Sequence, residues 1–251
     1  TELSPSEPSG SGTAATDTAD IKPSSKGSPY KFYFERLTPV EKRVYNAIIE
    51  KIYDMPERIA VPKIDGKELD NVFSALLFDN PDLFFLGRKC AVETRMWLTY
   101  FSVDYIVDKA DIADMRERLD RECEAFEQTL TDPGNQWRTE LEIHDHVIDR
   151  CEYHDPEGDL IYSSSYGALV DGRAACEGYS KAVKLLLDRA GIENALISGV
   201  SENGEGSGGA HMWNIVNIGG DYYHLDCTWD DPVSDDGGKL RMYTYFNLSD
   251  E

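Results

Sequence analysis

The chain has 251 residues, 41% of them hydrophobic, enough for one large domain or two small ones. Its formal net charge of −22 disfavours nucleic acid and anionic membrane surfaces as partners. No apolar run reaches the ~20 residues that span a bilayer, and five scattered cysteines without a CxxC pair give neither a zinc-ribbon nor a thioredoxin-type motif.

Residues 1–28 carry almost no large apolar side chain and are expected to form a disordered tether, because so little burial cannot offset the entropy of ordering. Thr1 in place of Met fits a processed start. A helical, mixed region is expected over 29–135 and a second unit over 136–251.

"TPVEKRVYNAIIEKIYDM" (38–55) predicts a helix capped by Thr38 with Pro39 at its first position, Val44, Ile48, Ile49 and Ile52 forming one stripe. A second helix is expected in 66–84, ending before Pro81. "RMWLTYFSVDYIV" (95–107) is rich in aromatic and β-branched residues and predicts a strand. Charged helices follow over 108–130 and roughly 136–153, separated by the breaker "TDPGN".

Next comes "DGRAACEGYSKAVKLLLDRAGI" (171–192). Tyr179, Ala182, Val183, Leu186, Leu187 and Ala190 recur at helical spacing, and Gly191 is placed as a left-handed cap. Cys176 stands at the mouth of this helix, where the helix dipole and free backbone N–H groups stabilise a thiolate. Three strands are expected after it, at 194–200, 211–218 and 221–229, with Gly219-Gly220 as a two-residue hairpin turn between the last two.

A catalytic thiol needs an imidazole, and the imidazole an orienting acceptor. If Gly219-Gly220 is the turn, Ile218 faces Asp221 and Trp213 faces Asp226. His211, Trp213, Asp226 and Thr228 then share one face, His211 and Asp226 within reach of each other, while Cys227 points into packing. A slip of one residue would undo the pairing. His224 reads equally as a neighbour of this group or as a surface residue. Each residue alone has a plainer reading: a buried core thiol, a strand-end histidine, a turn carboxylate. His144, Asp145, His146 and His154 invite a metal reading, but the spacing matches no zinc motif, and His144 and His146 face apart on a helix. The acidic run 228–238 lacks the EF-hand pattern and reads as a solvated loop. No metal or cofactor is expected.

The segments "GRAACEGYSKAVKLLLDRAGI", "AHMWNIVNIGGDYYHLDCTWDDP" and "YFNLSD" together resemble the transglutaminase-like proteins in their bacterial form. The resemblance is close over roughly 140–250 and looser upstream. It implies a papain-like α+β fold, with Cys176 on a helix packed against an antiparallel sheet bearing His211 and Asp226. It implies a Cys-His-Asp triad for acyl transfer on protein or peptide amides, cell-wall peptides included, with water or an amine as acceptor. The oxyanion would meet the N–H of Cys176 and one more donor, for which Tyr166 and Trp137 are candidates. Family habit and the tether suggest an extracellular or cell-surface location. The alternative is a catalytically silent binding module at the cell surface.

Overall fold

A computed structural model of the protein describes residues 21–202, 208–232 and 239–250. Helices and antiparallel sheets are combined as α+β, in the order α1 (Phe32–Glu35), α2 (Pro39–Ile52), β1 (Ile59–Val61), α3 (Gly66–Asp79), β2 (Leu86–Arg95), β3 (Leu98–Tyr105), α4 (Ile112–Glu127), α5 (Gln136–Arg150), β4 (Glu152–Tyr153), β5 (Arg173–Ala174), α6 (Cys176–Arg189), β6 (Asn194–Glu202), β7 (Gly208–Ile218) and β8 (Asp221–Leu225).

The N-terminal elements follow local chemistry closely. A reciprocal capping box starts α2: Glu41 N–H donates to Thr38 Oγ1 and Thr38 N–H to Glu41 Oε2. Asp65 and Glu68 do the same for α3. Val44, Ile48, Ile49 and Ile52 are fully buried, as their spacing predicts, in the core that α2 forms with α3 and β1. The predicted strand at 95–107 is shorter, because Met96 and Trp97 form the turn of a long hairpin. Its other arm, β2, has no counterpart in the predicted elements: beyond Leu86 and Gly87 its residues are exposed or half-buried, so it lacks the alternation that marks a strand.

The expected tether 1–28 divides in two. Residues 1–20 lie outside the described residues. Residues 21–28 lie against the body: Ser24 N–H donates to Asn46, Ser28 N–H donates to Asn80, and the buried Lys184 ammonium of α6 reaches Ser28 Oγ, Tyr30 O and Asp188. Polar anchoring explains why a scan for apolar side chains overlooks this stretch.

The three-stranded sheet β6–β7–β8 packs on α6. Its β7–β8 ladder has the expected register, Ile218 opposite Asp221 and Asn214 opposite Leu225, with Gly219 and Gly220 both at positive φ in the turn. The strand β8 ends at Leu225, ahead of the predicted 229. Asp226 stops it, its Oδ1 accepting the N–H groups of Thr228 and Trp229 and curling the chain out of the ladder. Similarly, the helix predicted over 136–153 ends at Arg150, and Glu152–Tyr153 pair in parallel with Arg173–Ala174.

Candidate active site

α6 opens directly at Cys176. Ala175 before it is extended and makes no side-chain cap, and the N–H groups of Cys176 and Glu177 find no acceptor among the described residues. These are the orphan donors that favour negative charge at a helix start. The approach is held by β5 against β4 and by Ala175 N–H donating to Tyr162 O. Gly178 is sterically required in the first turn: a Cβ there would lie 2.6 Å from Ala174 Cβ and 2.8 Å from Tyr162 O. Glu177 is tied to Arg88 and, at 2.8 Å, to Lys181. Burial raises its carboxyl pKa, but the two cations outweigh this and hold it below the usual range.

The first turn of α6 is fastened to β7. Ser180 Oγ lies 2.8 Å from both Cys176 O and Met212 O, and Asn214 Nδ2 donates to Ser180 O at 3.0 Å. Met212, Asn214 and Val216 form the buried face of β7 toward α6, so His211 and Trp213 belong to the other face. His211 Nε2 lies 2.5 Å from Asp226 Oδ2. The Cys176 thiol lies near enough to the same ring to act on its titration; with Nε2 engaged by Asp226, Nδ1 is the nitrogen left to meet it. Burial lowers the His211 pKa, yet the bonds to Asp226 and Cys176 together raise it to about 9. The ring also lies between two indoles, centroids 4.7 Å from Trp229 and 6.0 Å from Trp213, both nearly parallel to it. Such stacking favours the protonated ring.

The structure therefore brings Cys176, His211 and Asp226 together from three elements. The other four cysteines are elsewhere, with thiol pKa values pushed up by burial: Cys90 to about 11, Cys123 and Cys151 to about 12, and Cys227, inside the core, well above its ordinary value. His224 takes part indirectly, accepting from Trp213 Nε1–H at 2.8 Å through Nδ1.

Tyr166 is buried against Phe84 with Arg118 over its ring, and Trp137 is half-exposed on α5, edge-on to Phe246. Neither makes a hydrogen bond to Cys176 among the described residues. The histidines of 144–154 also part company: His144 is buried between Asp145 and Asp230, His146 stacks on Phe126, and His154 meets Tyr162.

Several supporting residues are absent from the sequence reading. Asp226 N–H donates to Tyr245 O, and Tyr245 N–H donates back to the carboxylate of Asp230, which is fully buried. His144 Nε2 lies 3.2 Å from the same carboxylate. A second histidine–aspartate pair thus anchors the segment on which Asp226 rests. Asn214 carried a usable signal, a polar residue at a core position between Met212 and Val216. Trp229 carried none, since its stacking depends on the turn that Asp226 makes.

Residues 124–227, less than half of the chain, match the sequence model of the transglutaminase-like superfamily, a span that includes all three residues. No curated protein matches the chain. Among solved structures, a TGase is 14% identical at a TM-score of 0.38, covering 76% of this chain and 54% of its own. A candidate cysteine protease from Cytophaga hutchinsonii is 13% identical at 0.36, covering 62% and 65%. A candidate protease from Parabacteroides distasonis is 15% identical at 0.34, covering 61% and 40%. The chain spans less than two thirds of the length of each of these structures.

Proposed function

We propose that the chain, whose residues 124–227 match the sequence model of the transglutaminase-like superfamily, is a cysteine-dependent acyl-transfer enzyme acting on protein or peptide amides, cell-wall peptides among them. What supports this reading best is the hydrogen bond of His211 to Asp226 beside Cys176, which stands at the uncapped start of α6, the pair and the thiol together raising the His211 pKa to about 9.

Cys176 attacks the amide carbonyl as thiolate, forming the S–C bond. The negative charge passes to the carbonyl oxygen, for which the unpaired N–H groups at the start of α6 are the donors at hand. His211 then gives its proton to the amide nitrogen as the C–N bond breaks, and the amine leaves. In the second half, water or an amine attacks the thioester, its proton goes to His211, and the thiolate departs. Asp226 fixes the tautomer and orientation of the ring throughout and stabilises its protonated form.

The test is acyl-enzyme trapping. A peptide library is incubated with the protein, and intact mass is read for wild type and for Cys176→Ala. A mass increment localised to Cys176, absent from Cys176→Ala and from no other single cysteine variant, is expected. Amide turnover that survives in Cys176→Ala at the wild-type rate sinks the proposal.

A further inference from the structure

The face of β7 that carries His211 also carries Trp213, and the neighbouring strand β6 is shaped to receive the indole. In the β6–β7 ladder Gly199 stands opposite His211 and Ile197 opposite Trp213. With no side chain at residue 199, the indole leans across into that space; a Cβ there would lie 2.7 Å from the ring. The indole is thereby laid alongside the His211 imidazole, centroids 6.0 Å apart and planes at 19° to each other. Packing does not enclose it on every side: a cavity of about 310 Å³ borders it, shared with Val200, His224 and Leu248.

A polar bond supplies the missing restraint. In the β7–β8 ladder His224 faces Ile215, which makes it a diagonal neighbour of Trp213 on the same face. Trp213 Nε1–H donates to His224 Nδ1 at 2.8 Å. An indole N–H can only donate, so Nδ1 is the bare nitrogen of that ring and Nε2 carries the hydrogen. Nε2 meets a pure acceptor, the Asp250 carboxylate, at 2.8 Å. The backbone of His224 is fixed too, exchanging hydrogen bonds with Leu248 in both directions. The tautomer and the strand position of His224 are therefore both set, and its free lone pair is aimed at the indole that flanks His211. Giving up its N–H to that lone pair leaves the indole richer in electron density, and a richer ring face favours a cation beside it.

Resting on the reading of Cys176, His211 and Asp226 above, we propose that His224 is a positioning residue for the reaction: it holds the Trp213 indole in the plane on which His211 stacks, and through that plane it steadies the imidazole that passes the proton. His224 touches neither the thiol nor the amide in this role. Its effect reaches the chemistry only through Trp213, and that dependence is what an experiment can isolate.

The His211 ring is followed by NMR from about pH 5 to about pH 10 in the full chain, a titration that needs no substrate, alongside the pH–rate profile for amide turnover. His224→Phe keeps a ring and the backbone bridge to Leu248 but offers no acceptor. The His211 titration should move down by about half a unit to one unit, and the alkaline limb of the profile should move with it. Trp213→Phe removes the same bond from its other end and should shift His211 in the same direction, so the question stays open to measurement even if one of the two variants does not fold. His224→Asn places an acceptor oxygen near the position of Nδ1 and should return both readouts toward wild type, a rescue that a merely structural role would not produce. Added to Trp213→Phe, the exchange His224→Phe should give no further shift, because the two act as one unit. An unmoved His211 titration in the single variants, or a shift from His224→Phe that is equally large with and without Trp213→Phe, overturns the role of His224. Absence of amide turnover from every protein, wild type included, would count against the acyl-transfer reading alone, since the ring titration still decides whether His224 acts on His211.

Discussion

Helices α2 and α5 are nearly equal in length, 14 and 15 residues, and both bury one stripe. The stripe of α2 is Val44, Tyr45, Ile48, Ile49 and Ile52, with Glu41 buried only as the partner of its own cap and of Asn71. That of α5 interleaves Ile143, Val147 and Ile148 with Glu140 and His144, both fully buried. The first helix buries an apolar stripe whose one polar tip, the Tyr45 hydroxyl, accepts from Asn80 Nδ2, and it serves as scaffold. The second faces the chain that follows β8, where His144 meets Asp230 and Glu140 meets Asn247. Buried ionisable groups cost folding free energy unless paired. Two of them fully buried in the middle of the α5 stripe, against only the cap residue Glu41 at the start of α2, mark where the fold trades stability for a fixed geometry, and the residue so fixed is Asp226.

The sharpest way to break this contrast is to remove one charge at the polar end. Asp226→Asn keeps the shape and the acceptor for the N–H groups of Thr228 and Trp229, but it no longer holds the protonated ring. Amide-directed activity should fall by about 10³–10⁴-fold with the fold intact. In wild type the His211 pKa is raised to about 9. The pair's contribution to stability is therefore fully present below the ordinary histidine value of about 6.5 and is lost as pH rises through about 9. The alkaline limb of the pH–rate profile should stand near pH 9 in wild type and move to lower pH in the variant. A limb that stays in place would show that another group sets it.

At the apolar end the expectation reverses. Ile49→Ala leaves a cavity between α2 and its neighbours and should cost about 2–5 kcal/mol of stability, read as a drop in the denaturant midpoint. The amide turnover of the molecules that remain folded should stay within about two-fold of wild type, since Cys176, His211 and Asp226 all lie outside α2. A large loss of specific activity at full occupancy of the folded state would show that the two regions are coupled.

The halves also differ in how far the sequence discloses them. The α2 stripe, the α6 stripe and the turn at Gly219-Gly220 are all periodic or local signals, so the helix carrying Cys176 and the register that brings His211 to Asp226 could be read directly. Trp229, expected in a strand, instead stacks on His211 because Asp226 gathers the next two N–H groups, a competition between side chain and ladder that strand propensity does not contain. Tyr166 and Trp137 were aromatic residues upstream of the cysteine and no more than that; tertiary packing decides where such rings go. The pairing of His144 with Asp230 joins residues 86 apart, which no window of sequence can display.

The smallest expected effect lies in Glu140, and it tests the claim that α5 gives up stability. Burial raises its carboxyl pKa to about 7, against the hydrogen bond from Asn247 and the nearby His144, which lower it. Its Oε1 has no partner among the described residues. A carboxyl raised in the folded state binds its proton more tightly there than in the unfolded chain. The stability it allows is therefore full below the unfolded value of about 4.3 and is lost as pH rises to about 7 and beyond, where the buried group must ionise or the fold must bear the cost. Glu140→Gln keeps the size and an acceptor for Asn247 but has no charge to bury. It should raise stability by about 1–3 kcal/mol at pH 8, and the gain should fade toward pH 4.5, where wild-type Glu140 is already neutral. Melting curves of the two proteins at closely spaced pH values give the difference directly. Should the gap stay constant from pH 4.5 to 8, or should the variant be the less stable at pH 8, Glu140 would be bearing no such cost, and the polar stripe of α5 would be as comfortable in the core as the apolar stripe of α2.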